Sequence, residues 1–225
     1  MSPTCRNQAG IHYAYNLYPD VQGVSNIFGG GMKFCPEDEW TIGLSHRREH
    51  IIDNATTFNS GLYRDNYAVR STYSPHRRVK AGADYMHSYY SDDNNRNAYG
   101  VDVGYYLMYE PRSLLTTYRY EEYLFDRSRA SYFSPDSFHY HRIGIEWREY
   151  LNTEELYWGA NDTFYSIRYA VDFDPKDEVG HWLCVDLHHD FSDKHSAHLE
   201  WSKTIYEHGD TYRDNRATLY MRFYF

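Results

Sequence analysis

Residues 165–173 read Tyr165-Ser166-Ile167-Arg168-Tyr169-Ala170-Val171-Asp172-Phe173: the odd positions are all aromatic or aliphatic, and the even ones are Ser, Arg, Ala and Asp. A side-chain period of two is the mark of a strand with one apolar and one polar face. The same parity recurs at 99–109, where Tyr99, Val101, Val103, Tyr105, Leu107 and Tyr109 oppose Asp102 and Gly104. It recurs again at the end of the chain, where Ala217, Leu219, Met221, Phe223 and Phe225 alternate with Thr218, Tyr220, Arg222 and Tyr224. Alternation alone does not say which face is inside. A soluble sandwich or barrel turns its apolar face to a core, whereas a membrane barrel turns it to lipid.

Outward from these segments, turn residues divide the chain into about twelve alternating stretches. The strands are expected at 11–17, 26–35, 40–50, 60–73, 79–90, 98–109, 114–125, 138–151, 164–173, 180–191, 197–206 and 217–225. Their connections alternate in length. Short turns are expected at 36–39, 74–77, 110–113 and 192–195, and longer polar links at 51–59, 91–97, 126–136 and 207–215. An even-stranded barrel with both termini in the periplasm has this rhythm. The link at 152–163 breaks it by being long, with Trp158, Gly159 and Ala160 as a candidate strand extension. The organisation read from the sequence is an N-terminal periplasmic segment, 1–10, followed by a single transmembrane antiparallel up-and-down β-barrel, 11–225.

Composition fits that reading. The 225 residues include 26 Tyr and are 19% aromatic, yet the mean hydropathy is only -0.81. A barrel hides its apolar face in an average of this kind, because every second residue faces water. No run of about eighteen apolar residues occurs, so a helical span is excluded. A net charge of -9 argues against a nucleic-acid partner, which would call for a basic stripe. The start, Met1-Ser2-Pro3-Thr4-Cys5, lacks the regions of an export leader, so the chain is expected to be a mature form or the barrel of a longer protein. Cys5 and Cys35 fall at the same rim and are candidates for a disulfide, while Cys184 faces the lumen without a partner. No metal-ligand spacing accompanies them, and neither a metal nor a cofactor is expected.

The depth of outward charges separates a membrane barrel from a soluble one. Asp65, His87, Glu122 and Lys203 break the apolar faces, each about seven or eight residues from its short turn, or roughly 16–19 Å up the wall. A charge at the bilayer midplane costs about 2–4 kcal/mol but little near an interface. These four residues are therefore expected to cluster near the outer interface.

The polar faces are expected to line the lumen with Arg47, Arg119, Glu121, Arg142, Glu146, Arg148, Arg168, Asp172, Asp186, Glu200 and Arg222. Both signs are abundant and close to balanced. Such a lumen suits ion-pair ladders that stiffen a narrow barrel, or a hydrophilic conduit for a neutral or zwitterionic polymer with Tyr and Trp as stacking faces. The expected role is a conduit or porin serving polysaccharide export or small-solute passage. Two alternatives are an outer-membrane hydrolase and a structural barrel with a closed lumen. For the hydrolase, His198, Glu200 and Ser202 on one lumen face are the candidate catalytic residues.

The closing segment Leu219-Tyr220-Met221-Arg222-Phe223-Tyr224-Phe225 resembles the C-terminal signal of bacterial outer-membrane proteins. The resemblance implies that Leu219, Met221, Phe223 and Phe225 are read by the barrel-assembly machinery, and that the lipid bilayer is the chain's main partner. Tyr132-Phe133-Ser134-Pro135, followed by a strand carrying Glu146-Trp147-Arg148, resembles a motif in the C-terminal barrels of exopolysaccharide exporters, such as those of cellulose and poly-N-acetylglucosamine. Those proteins carry tetratricopeptide repeats ahead of the barrel and more strands than twelve. The resemblance implies a polysaccharide cargo and a periplasmic or inner-membrane export complex as partner.

Overall fold

The computed structural model describes residues 7–18, 23–51, 61–109, 111–129, 131–151, 162–175, 178–192, 195–207 and 212–224. These form twelve strands: β1 (Gln8–Tyr18), β2 (Gly23–Glu37), β3 (Trp40–His50), β4 (Tyr63–His76), β5 (Val79–Tyr90), β6 (Asn95–Met108), β7 (Arg112–Phe125), β8 (Ser137–Tyr150), β9 (Thr163–Phe173), β10 (Val179–Ser192), β11 (His195–Glu207) and β12 (Tyr212–Tyr224). Each pairs antiparallel with its chain neighbours, and β1 closes on β12 with Gly10 opposite Tyr224 and Tyr15 opposite Leu219. Closure leaves no unpaired edge, which a wall lacking water on its outer side requires. The start of β1 and the end of β12 lie at one end of the barrel, called here the terminal end.

At the terminal end the strands run further than the turn residues suggest. Pro36 and Pro75 were expected in turns, but both sit inside strands where the register skips, between Phe34 and Glu37 and between Tyr73 and His76. A bulge leaves one residue unpaired, so a proline without an N–H costs no ladder bond there.

At the far end, the long link expected over 91–97 is instead a tight turn between Tyr90 and Asn95. Asp93 adopts a left-handed φ of 63°, and the Asp93 N–H donates to the Tyr90 carbonyl at 3.1 Å. The expected long connection after β8 covers residues 152–161, outside the described residues.

The alternation faces as the membrane reading requires. Phe28, Val101, Ile143, Leu187, Leu199 and Leu219 are exposed on the outer wall, at 58%, 51%, 56%, 47%, 55% and 45%. Their strand neighbours Ala14, Ala98, Ser166, Ala170, Asp172 and Ser202 are buried inside. The apolar face is the outer one, the reverse of a soluble barrel.

Asp65, His87, Glu122 and Lys203 all lie near the far-end termini of β4, β5, β7 and β11. Other outward polar groups join them: Arg48 and His46 both bind Asp65, at 2.9 and 3.1 Å, and His141 meets the Tyr118 hydroxyl at 2.8 Å. At the terminal end a second outward pair joins Arg112 to Glu149 at 2.7 Å, so outward charge lies toward the rims, where the cost of exposure to lipid is small.

Candidate functional site

The lumen has two unlike walls. On β3 to β7, carboxylates are consumed by arginines. Glu49 accepts from Arg64 at 2.7 Å and Asn66 at 2.9 Å, with Arg47 3.1 Å away. Arg70 bridges Asp84 and Asp102, and Arg119 binds Asp84, Asp102 and Glu121 at 2.9, 3.2 and 2.6 Å. Tyr123 and Tyr140 donate to Glu121 at 2.6 and 3.0 Å. Farther round, Arg142 grips Asp172 through two bonds of 2.6 and 2.8 Å. Glycine makes this density of charge fit: a Cβ on Gly100 would stand 2.4 Å from the Arg119 guanidinium. With each carboxylate held by at least one guanidinium, this wall presents little free charge to solutes.

The rest of the lumen is open: a cavity of about 550 Å³ is lined from β1, β3, β4, β5, β8, β9, β10, β11 and β12, with Arg47, Arg148, Arg168, Arg222, Asp186 and Glu200 among its charged groups. Arg168 bonds Glu200 at 2.8 Å and Arg148 bonds Glu146 at 2.8 Å. Arg222 has no ion-pair partner among the described residues. Aromatic faces accompany the charges: Arg148 lies over Phe164, and Arg142 and Arg168 both lie over Trp182, at 5.4 and 5.3 Å.

Both signs line the cavity as well, and Arg47, Arg148 and Arg168 each have a carboxylate partner. Register also brings in two inward arginines that fall outside the expected strands, Arg96 and Arg216. Arg96 is buried against Tyr123 and Phe125, with Ser88 as its hydrogen-bond acceptor at 3.2 Å and no carboxylate partner among the described residues.

The candidate catalytic residues do not converge. Ser202 and His198 share a lumen face but stand four residues apart on one extended strand, or about 13 Å. His198 instead meets His188 across the strands at 2.6 Å and Asp186 at 3.5 Å, and Glu200 is bound to Arg168. His188 in turn bonds Asp190 at 2.8 Å. Among the described residues no group of three or more His, Cys, Asp or Glu is disposed to hold a metal ion.

At the far end, the Tyr132-Phe133-Ser134-Pro135 segment folds back over the barrel mouth. Tyr132 stacks on Tyr90 at 5.1 Å and 7°, beside Phe125 and Ile51. The Tyr132 hydroxyl accepts from Asn94 at 2.8 Å and lies 3.2 Å from Asp92, and the Ser134 hydroxyl accepts from the Arg129 N–H at 2.7 Å. Burial, followed by the nearby Asp92 carboxylate, pushes the Tyr132 phenol up to about 12.

Leu219 and Phe223 are exposed on the outer wall and Met221 shares their face, while Phe225 lies outside the described residues. Cys35 is disulfide-bonded, Cys184 is a free and buried thiol, and Cys5 lies outside the described residues.

No family model matches the sequence, and no curated protein matches it. The fold does match solved structures. A KdgM porin in complex with disordered oligogalacturonate superposes with a TM-score of 0.62 at 12% identity, over 96% of this chain and 99% of that one. A bacterial polysaccharide outer membrane secretin gives 0.62 at 12% identity over 100% of both chains. The β domain of the Bordetella autotransporter BrkA gives 0.57 at 9% identity, over 97% and 98%. The chain thus has the closed barrel fold of bacterial outer-membrane channels, a fold that serves more than one task.

Proposed function

We propose that the chain is an integral outer-membrane conduit for hydrophilic solutes of the saccharide class, without catalysis of its own. The observation that carries this reading is the pairing of an apolar outer wall with a polar lumen that holds a cavity of about 550 Å³. That volume is of the size that takes a small ligand, and Phe164 and Tyr220 in its lining supply aromatic surface against which a sugar ring packs. Two proteins that share the fold are described with an oligogalacturonate and as a polysaccharide secretin, which favours saccharides over other solutes. The termini are placed in the periplasm, where an export complex would meet them, and the last strand, with Leu219, Met221, Phe223 and Phe225, is taken to be what the barrel-assembly machinery reads. The short turns after β2 and β4 at the terminal end and the aromatic cluster around Tyr132 at the other support that orientation.

Liposome swelling tests the reading. Proteoliposomes should swell in isotonic glucose, more slowly in sucrose, and more slowly again in raffinose. Equal impermeability to all three, with protein shown to be inserted, would reject a saccharide conduit.

A further inference from the structure

Near the terminal end of β10 and β11, His188 stands directly opposite His198 on the lumen face. The two rings meet, His188 Nδ1 to His198 Nε2, at 2.6 Å. Their other nitrogens each reach a carboxylate: His188 Nε2 lies 2.8 Å from Asp190, and His198 Nδ1 lies 3.5 Å from Asp186. Asp190, His188, His198 and Asp186 thus form a chain joined by three contacts.

Each contact needs one N–H, and the one between the rings has room for no more than one. Two neutral imidazoles carry two N–H groups and leave one contact without a proton. An imidazolium beside an imidazole carries three and satisfies them all. A second imidazolium sets N–H against N–H across 2.6 Å, with like charges on directly opposed residues. The two carboxylates could neutralise two imidazoliums, but only if the rings part.

The surroundings decide which ring moves. His188 is 8% exposed and stacked on Phe164 of β9 at 4.5 Å and 21°, and Arg148 of β8 lies over the same Phe164 at 4.7 Å. His198 meets the edge of Tyr220 on β12 at 6.5 Å and 87°, and it lines the cavity together with Asp186. Nearby charges are engaged with one another, Arg148 with Glu146 on β8 and Arg168 of β9 with Glu200 of β11. Arg222 of β12, Arg47 of β3 and His12 of β1 face the same cavity.

Resting on the conduit reading above, we propose that this chain of four side chains is an acid-operated gate near the terminal end of the lumen. With one imidazolium the rings stay paired along the wall and the path is open. A second proton splits the pair. His188 stays on Phe164 and Asp190, while His198 swings into the cavity as a cation and narrows the path.

Recording in a planar bilayer at about pH 7.5 and about pH 5, on either side of the ordinary histidine value, reads the gate. The mean current of the wild type should fall by about twofold or more in acid and recover on return. His188→Gln keeps an acceptor for His198 and a donor for Asp190 but takes no proton, so its current should be alike at both. Current that ignores acid, or that falls equally in wild type and His188→Gln, would overturn the gate and leave the conduit standing.

A second measurement does not depend on conduction. Proton–nitrogen correlation spectra of the histidine rings in detergent, assigned by comparing His188→Gln and His198→Gln with wild type, follow each ring through the same acid range. His198 should pass through two protonation steps in wild type and one in His188→Gln, because coupled sites titrate as a pair. One step with the same midpoint in both proteins would overturn the inference. Two coupled steps in a barrel that passes no current would count against the conduit and not the pair. The gel shift of folded against boiled protein checks folding, and His188→Phe, which keeps a ring on Phe164, serves if His188→Gln does not fold.

Discussion

Arg119 on β7 binds Asp84 on β5 at 2.9 and 3.0 Å, and its guanidinium crosses over Gly100 of the strand between them. The bond ties three strands together through space that only a missing side chain leaves free. Gly100→Val should therefore break the pair and strand a charge in the lumen. Overpacking of this kind costs about 1–3 kcal/mol. The temperature at which the folded band disappears on a gel should fall, while Gly43→Ala, where the nearest atom to an added Cβ is at 3.9 Å, should leave it unchanged.

The outer wall predicts a steep dependence on position. Val101, mid-strand and 51% exposed, should not tolerate arginine: Val101→Arg is expected to cost about 2–4 kcal/mol against the lipid-inserted wild type. Asp65→Asn, at the far rim, should change stability by much less. Urea unfolding from lipid vesicles reads both, and equal effects would argue against the placement of the membrane belt.

The mouth should respond to Tyr132. Tyr132→Ala removes the stack on Tyr90 and the partner of Asn94, so amides of residues 126–136 should lose protection against hydrogen exchange. Such a stack contributes roughly 0.5–1.5 kcal/mol beyond burial. The phenol's value lies near 12 in the folded cap and at the ordinary 10.0 when the cap opens. Folding thus favours the protonated form. The cap's contribution is whole below pH 10 and is lost as pH rises through about 12. A phenolate titration of wild type should show one more late-ionising tyrosine than that of Tyr132→Phe.

Cysteine chemistry tests the pairing of Cys5 with Cys35. Maleimide under non-reducing conditions should label one thiol, Cys184, and only after unfolding, because that residue is fully buried. Cys5→Ser should release Cys35 and add a second labelled site. A count that falls by one instead would mean that Cys5 is free in the wild type and Cys35 pairs elsewhere.

Much of the barrel was legible because each strand repeats one binary decision. The segment 165–173 carries it without exception, and its parity alone places Arg168 and Asp172 inside. Legibility failed where that decision stops. Arg96 shares the parity of Ala98 and Asp102, but its neighbours Asn95 and Asn97 are polar on both faces, so the alternation becomes readable only from Ala98 and Arg96 falls in the expected 91–97 link. Tyr132 lies in a link with no period at all, and only a tertiary stack reveals its place. The reach of Arg119 to Asp84 depends on register across three strands, which pairs of neighbouring segments do not specify. Ser202 and His198 failed for the opposite reason: a shared face says nothing of distance along a strand.

The central claim, that this barrel spans a membrane and is open to water through its lumen, is tested most directly by single-channel recording of the purified protein in a planar lipid bilayer. Discrete conductance steps of one size are predicted, enlarged by Tyr132→Ala at the mouth. Inserted protein that gives no step at any voltage, in wild type and variant alike, would contradict it.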